Sequence, residues 1–322
     1  MALYPSSLEI DRQIKNMIEV ENLSKNYGAA RVVSEVSFRV EKGEVVGFLG
    51  PNGAGKTTAM RMLCCFLAPS GGTARIAGFD ILGNSLDVRK NIGYLPENAP
   101  LYGEMSVRDY LNYVAVLRGV PKSQRAVRLE AALDAGKLEE RADTLIRKLS
   151  KGLKQRVGIA QAVIHDPPVL ILDEPSSGLD PRQRAETRAF IKSLAREHTI
   201  LLSTHILPDV QETCSRVIVI HEGKVVAQEP ILQGGEAASG LTLLLARPTA
   251  DTGEKLRRLA GVTRVSTASG SAFSVEFSPK GDAREEVARL CVEQGWGVLE
   301  MTPRRANLEE RFLKLTTREE CL

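Results

Sequence analysis

The chain has 322 residues, 43% of them hydrophobic and 26% charged, a globular composition long enough for one large domain and a smaller one. Its net charge is only +3, with Lys and Arg dispersed along the chain, so no nucleic-acid partner is expected: dedicated binders concentrate their basic residues. The five cysteines, Cys64, Cys65, Cys214, Cys291 and Cys321, have no metal-ligand spacing and cannot all pair, which fits a reducing cytosol, and no apolar run reaches the roughly 18–20 residues that span a bilayer.

Residues 1–16 are expected to be a disordered extension, with Met17 as a candidate start. IEVENLSKNYG and VVSEVSFRVEKGEVVGFLG read as β-strands with turns at YG and KG. KTTAMRMLCCFLA has helical spacing up to the breaker PSGG. NIGYLP is strand-like, and MSVRDYLNYVAVLRG and QRAVRLEAALDAG are predicted helices of a helical insertion, stopped at Gly119-Val120-Pro121 and at Gly136. VLILDEP and TILLSTH are short apolar strands of the kind buried in a parallel sheet. VIVIHEGKVVAQ reads as a hairpin turning at Glu222-Gly223. The expected domains are residues 17–232 and 241–322, joined by a Gly- and Ala-rich linker at 233–240. Beyond the linker the order strand, helix, strand, strand, helix, strand fits a small α/β sandwich of ferredoxin-like type, and ANLEERFLKLT is predicted to close the chain as a helix.

Two motifs carry chemistry. GPNGAGKTT fits the phosphate-binding pattern G-x-x-x-x-G-K-T, and it follows an apolar strand and opens a helix, the context that pattern requires. Gly50, Pro51, Asn52, Gly53, Ala54, Gly55, Lys56, Thr57 and Thr58 are therefore the candidate phosphate cradle. Its glycines let backbone N–H groups turn inward, Lys56 neutralises phosphate charge, and the Thr57 hydroxyl is placed for Mg²⁺. VLILDEP supplies Asp173 as a candidate Mg²⁺ ligand through water and Glu174 as the group that orients or deprotonates the attacking water.

LSKGLKQR at 149–156 resembles the signature LSGGQ of the nucleotide-binding subunits of ATP-binding cassette (ABC) transporters. The order of glycine loop, helical insertion, signature, VLILDEP, SGLD and STH is also shared with that family over roughly residues 17–230. The resemblance implies an α/β P-loop cassette: a mixed-sheet core, an antiparallel β subdomain and a helical subdomain, followed here by the small C-terminal α/β domain. It implies that Tyr27 stacks on adenine, the alternative being an aromatic packed on the core. It further implies that Ser150 and Gly152 contact the γ-phosphate of a nucleotide held by the opposite subunit, that Asp180 lies at the dimer seam, and that His205 contacts the γ-phosphate and water. His165, His198 and His221 are left as structural or surface residues. One glycine loop and one signature per chain imply a head-to-tail pair, expected to be a homodimer, with ATP and Mg²⁺ as cofactors.

Three departures from the family pattern stand out. Where the family normally has a glutamine after the strand, NIGYLP leads into Glu97, whose carboxylate can still accept from metal-bound water. YLPE, LSKG and the final NLEERFLKLT resemble exporter-type subunits paired with ABC-2 permeases, among them gliding-motility, copper-site-maturation and antibiotic-export systems. Lys151 and Leu153 replace a glycine and a glutamine of the signature, with Lys151 expected to face water. The expected function is thus an ATPase subunit, peripheral on the inner face of a bacterial cell membrane, that drives a separate integral-membrane permease. The alternative is a soluble ABC-type ATPase acting on ribosomes or DNA, whose usual second cassette, coiled-coil insertion or zinc cysteines do not occur in this sequence. A binding module without activity is disfavoured by the joint presence of Lys56, Asp173, Glu174 and His205.

Overall fold

A computed structural model describes residues 15–231, 240–278 and 283–304, and the chain divides into two compact units between residues 231 and 232. The first unit begins with β1 (Asn16–Tyr27), β2 (Ala30–Glu41), β3 (Val45–Leu49), α1 (Lys56–Leu63), β4 (Gly71–Ile76), β5 (Phe79–Asp80), α2 (Ser85–Lys90) and β6 (Ile92–Leu95). It continues with α3 (Val107–Leu117), α4 (Lys122–Gly136), α5 (Lys151–Val163), β7 (Val169–Asp173), α6 (Pro181–Leu194), β8 (Thr199–Thr204), α7 (Leu207–Thr213), β9 (Arg216–His221) and β10 (Lys224–Pro230).

Six of these strands form the central sheet in the order β10-β9-β3-β8-β7-β6, parallel except for the β9–β10 hairpin. Every residue of β3, β7 and β8 is buried, as expected of parallel strands covered on both faces. The register pairs Asp173 with Ser203 and Leu49 with Thr204, so β3, β7 and β8 finish along one edge. The carboxyl ends of such strands are where open α/β sheets bind ligands. A second, antiparallel sheet runs β2-β1-β4-β5.

The helical insertion packs α3, α4 and α5 around Val107, Leu111, Leu133, Val157 and Ala160, and each fully buried Leu or Val there contributes roughly 1.5–3 kcal/mol. Ser106 caps α3 by accepting from Asp109 N–H, and the Tyr110 hydroxyl bonds Gln161 on α5. Arg188 on α6 pairs with Asp209 at 2.9 Å and Glu212 at 3.0 Å on α7, which ties the two helices leading away from the sheet edge to each other.

Several boundaries differ from the sequence reading. The first strand starts at Asn16, inside the expected extension, of which residues 1–14 lie outside the described residues. Helix α1 stops at Leu63, five residues short of the expected end: Cys65 takes a left-handed φ of 58°, and Cys65 and Phe66 N–H donate to the Met62 and Arg61 carbonyls. That is a Schellman stop made without the glycine that usually announces it. Helix α4 does end at Gly136 as read, with Lys137, at φ 50°, making the turn. The strand GGTARI was not anticipated, since its two glycines read as a breaker.

The second unit runs β11 (Gly240–Leu245), α8 (Thr252–Arg257), β12 (Val262–Ser269), β13 (Ala272–Phe277), α9 (Arg284–Glu293) and β14 (Val298–Arg304). Its antiparallel sheet, ordered β12-β13-β11-β14, is the ferredoxin-like arrangement. Leu241, Leu243, Phe273, Val275 and Trp296 fill its core, and the Trp296 indole N–H bonds Thr249. The expected linker, apart from Gly240, and the expected closing helix lie outside the described residues.

Candidate active site

The glycine loop leaves β3 and enters α1 through left-handed backbone at Gly53 (φ 82°) and Gly55 (φ 101°). Gly50 donates its N–H to the Thr204 carbonyl at the end of β8, and a Cβ on Gly50 would lie 2.3 Å from the Ile220 carbonyl oxygen, so no side chain fits there. Lys56 opens α1 and is buried; its ammonium donates to the carbonyls of Gly50 (2.8 Å) and Pro51 (3.2 Å). The same Nζ lies 3.3 Å from Glu174 Oε1.

Glu174 follows the last residue of β7 with φ 50°, a sparsely populated conformation for a non-glycine residue that must be held by its surroundings. The hold comes from Ser203: Glu174 N–H donates to the Ser203 carbonyl (3.1 Å) and to its hydroxyl (3.2 Å). The turn sends the carboxylate inward, where Oε2 meets His205 Nδ1 at 2.9 Å. His205 follows β8 and is partly exposed.

Asp173 is fully buried. The Ser203 hydroxyl donates to its Oδ1, while Oδ2 is buried with no hydrogen-bond partner. Burial pushes the Asp173 carboxyl above its usual range against the pull of that hydroxyl. A buried acceptor oxygen left over beside a second carboxylate fits a divalent cation.

Lys56, Thr57, Glu97, Glu174 and His205 line one cleft of about 320 Å³, together with Asn52, Gly53, Gly55 and Thr58. Glu97 is exposed in this cleft. Two further lining residues, Val32 and Ser177, were missed: Val32 sits in an ordinary strand pattern, and Ser177 is one of several small polar residues in a turn.

The remaining candidates lie outside the cleft lining. Tyr27 ends β1 and is 49% exposed, so it is not packed into the core; the Lys25 ammonium lies 5.6 Å from its ring centroid. Ser150 is the N-cap of α5, its hydroxyl accepting from Leu153 N–H. Gly152 is buried beneath Gln183, whose side chain would lie 2.8 Å from an added Cβ. Asp180 caps α6 by accepting from Gln183 N–H at 2.9 Å. Lys151 is exposed, yet its ammonium rests against Gly178, 2.0 Å from where a Cβ would stand. Among the other histidines, His165 Nε2 faces the Ile92 carbonyl and burial lowers its pKa to about 4, and His198 Nδ1 faces the Pro167 carbonyl.

The family model for ABC transporter matches residues 33–177, which includes the loop, the signature helix and both carboxylates. Nod factor export ATP-binding protein I of Paraburkholderia xenovorans (strain LB400) is 34% identical over 305 residues, covering 94% of this chain and 97% of that protein. Bacitracin transport ATP-binding protein BcrA of Bacillus licheniformis is 32% identical over 314 residues, covering 94% and 98%. Among solved structures, an ATP-binding subunit of an ABC transporter aligns with a TM-score of 0.61 at 33% identity, over 67% of this chain and 90% of its own. Cassette cbiO1 of Clostridium perfringens aligns with a TM-score of 0.62 at 30% identity, over 67% of this chain and 89% of its own. A phosphate loop at the edge of a parallel sheet, two carboxylates beside it and relatives matched nearly end to end agree: the chain belongs to the ABC transporter ATP-binding proteins and is an ATPase.

Proposed function

We propose that the chain binds MgATP in the cleft beside Lys56, pairs head to tail with a second copy, and uses hydrolysis to drive a separate ABC-2 type membrane exporter. The observation that carries the reading is the convergence of Lys56, Glu174 and His205, with Glu174 Oε1 3.3 Å from the ammonium and Oε2 2.9 Å from the imidazole. A cation clamp, a general base and a group that orients that base are what phosphoryl transfer to water needs.

In this reading Gly50 to Thr58 hold the phosphates and Lys56 exchanges its bonds to the loop carbonyls for phosphate oxygens. Glu174 takes the proton of the attacking water, and His205 fixes the carboxylate and reaches the γ-phosphate. Thr57 and Asp173 would hold Mg²⁺, with Glu97 accepting from its water, and the bound ion would supply charge neutralisation at the phosphates. Exposed Tyr27 offers its face to adenine.

Pairing is supported by exposed Ser150 at the N-terminus of α5, outside the lining of the chain's own cleft, since the start of a helix favours an anion. A membrane partner is supported by exposed apolar side chains on neighbouring segments: Phe66 after α1, Leu86 on α2, and Tyr113 and Leu117 on α3. Arg89 bonds the Cys65 carbonyl and Arg118 bonds the Arg89 carbonyl, which keeps these segments together. An apolar area of this kind suits a protein partner. No described helix is long and apolar enough to cross a membrane. In this reading the permease is a separate chain and this one sits at the inner face of the membrane. The export role rests on the Nod factor export relative, and the bacitracin transport relative supports a transport role.

Ser150→Arg tests the pairing. Monomeric chain should keep its ATP affinity while ATP-dependent dimerisation and hydrolysis disappear, at a cost of about 1 kcal/mol for the lost cap. Light scattering with and without MgATP, beside nucleotide titration of the monomer, reads both. Loss of ATP binding by the monomer would put Ser150 in its own chain's site and contradict a shared one.

A further inference from the structure

The turn of the β9–β10 hairpin lies far from the phosphate loop in sequence and against it in space. Glu222 (φ 48°) and Gly223 (φ 75°) are consecutive left-handed residues, the type I′ geometry of a two-residue hairpin. Such a turn alone would need only a left-handed residue, and many side chains tolerate open solvent there. Gly223 is instead buried. A Cβ on it would stand 2.4 Å from the Val32 carbonyl oxygen and 3.2 Å from Val33 Cα, contacts with backbone that cannot rotate away.

Two hydrogen bonds run through this glycine. Ser34 N–H on β2 donates to the Gly223 carbonyl at 2.8 Å, and Gly223 N–H donates to the Ala54 carbonyl at 3.0 Å. Ala54 stands between the two left-handed glycines of the loop. The neighbouring contacts repeat the theme: a Cβ on Gly55 would lie 2.8 Å from the Val32 carbonyl and 3.6 Å from Gly223 Cα, and Gly50 abuts the Ile220 carbonyl at the end of β9. The two bonds leave through the two peptide groups that flank the Gly223 Cα and so hold its backbone from both sides. The backbone of Gly223 thus joins β2, whose Val32 lines the cleft, to the middle of the loop.

We propose, building on the nucleotide-site reading above, that Gly223 is a positioning residue for ATP: the hairpin turn braces the glycine loop from behind and sets its separation from β2. The loop's left-handed backbone is costly to hold in one geometry, and oriented N–H groups bind phosphate well only when they are already aimed. The brace acts through Ala54 and touches no nucleotide.

Gly43 provides the control, since it has the same φ of 75° with nothing within 4 Å of an added Cβ. Gly223→Ala and Gly43→Ala therefore impose the same left-handed strain, and only the first collides with β2. Displacement of a fluorescent ATP analogue by MgATP gives the affinities, with thermal melting alongside. Gly223→Ala is expected to bind ATP roughly tenfold or more weakly, about the worth of one hydrogen bond to a charged group, while Gly43→Ala binds as wild type does. Equal affinity in the two variants, beside clear loss in Lys56→Ala, overturns the brace and leaves the nucleotide site standing. Wild-type binding in Lys56→Ala, or no ATP binding by the unaltered chain, overturns the site reading and the brace with it. If Gly223→Ala does not fold, hydrogen exchange of the unaltered chain decides: the Gly223 amide gains protection with the loop when MgATP is added if the brace exists. Protection gained by the loop alone contradicts it.

Discussion

Glu174→Gln is expected to lower MgATP hydrolysis roughly 10²- to 10⁴-fold, the usual worth of a general base, while ATP still binds and the chain accumulates as an ATP-held dimer. The carboxylate stands in the cleft because its backbone is fixed by the Ser203 carbonyl and hydroxyl. Glutamine keeps the size and can keep that backbone bond, yet its amide takes no proton from water. Phosphate release measures the first effect and light scattering at saturating MgATP the second. A variant that hydrolyses like the unaltered chain would remove Glu174 from water activation, and one that stays monomeric would count against ATP as the glue between copies.

Lys56→Ala is expected to reduce hydrolysis by roughly 10² to 10³, the loss that follows removal of a single preorganised donor to developing charge, and to weaken ATP binding as well. The ammonium is buried among the Gly50 and Pro51 carbonyls and Glu174. The substitution therefore removes a buried cation and leaves Glu174 facing only His205. Breaking such a pair from one side is destabilising, so the melting temperature should fall too. Because hydrolysis and stability change together, ATP affinity must be compared in folded protein by nucleotide titration well below the melting transition. Undiminished turnover would show that the phosphates lie elsewhere.

These effects depend on proximity that only part of the sequence announces. The glycine loop, VLILDEP, LSKG and STH are local patterns, and each strand among them is short, apolar and ended by its functional residue, so the strands and their ends could be read directly. Glu97 was singled out only by the family resemblance, which expects a glutamine after the strand IGYLP. The details that set the chemistry are long-range. Ser203 holding both Asp173 and Glu174 spans 30 residues, and nothing marks that serine among the other polar residues of TILLSTH. Gly223 reads as an ordinary hairpin glycine until the Val32 carbonyl is found against it. The end of α1 went astray at Cys65 for a different reason: that residue takes left-handed backbone without being glycine or asparagine, so the composition held no stop signal there, whereas α4 ends at Gly136 as read. Asp180 and Ser150, which the family resemblance assigns to a subunit seam, cap α6 and α5. A substitution at either position therefore disturbs a helix cap, and any test of the seam has to allow for that.

Co-purification of this chain from detergent-solubilised membranes of its own host, with mass spectrometry of what accompanies it, tests the transporter assignment of the ATPase most directly. Recovery of a polytopic membrane protein, strengthened by Glu174→Gln and MgATP, is the predicted result. Recovery of ribosomal or DNA-associated proteins in its place would contradict it and make the chain a soluble machine.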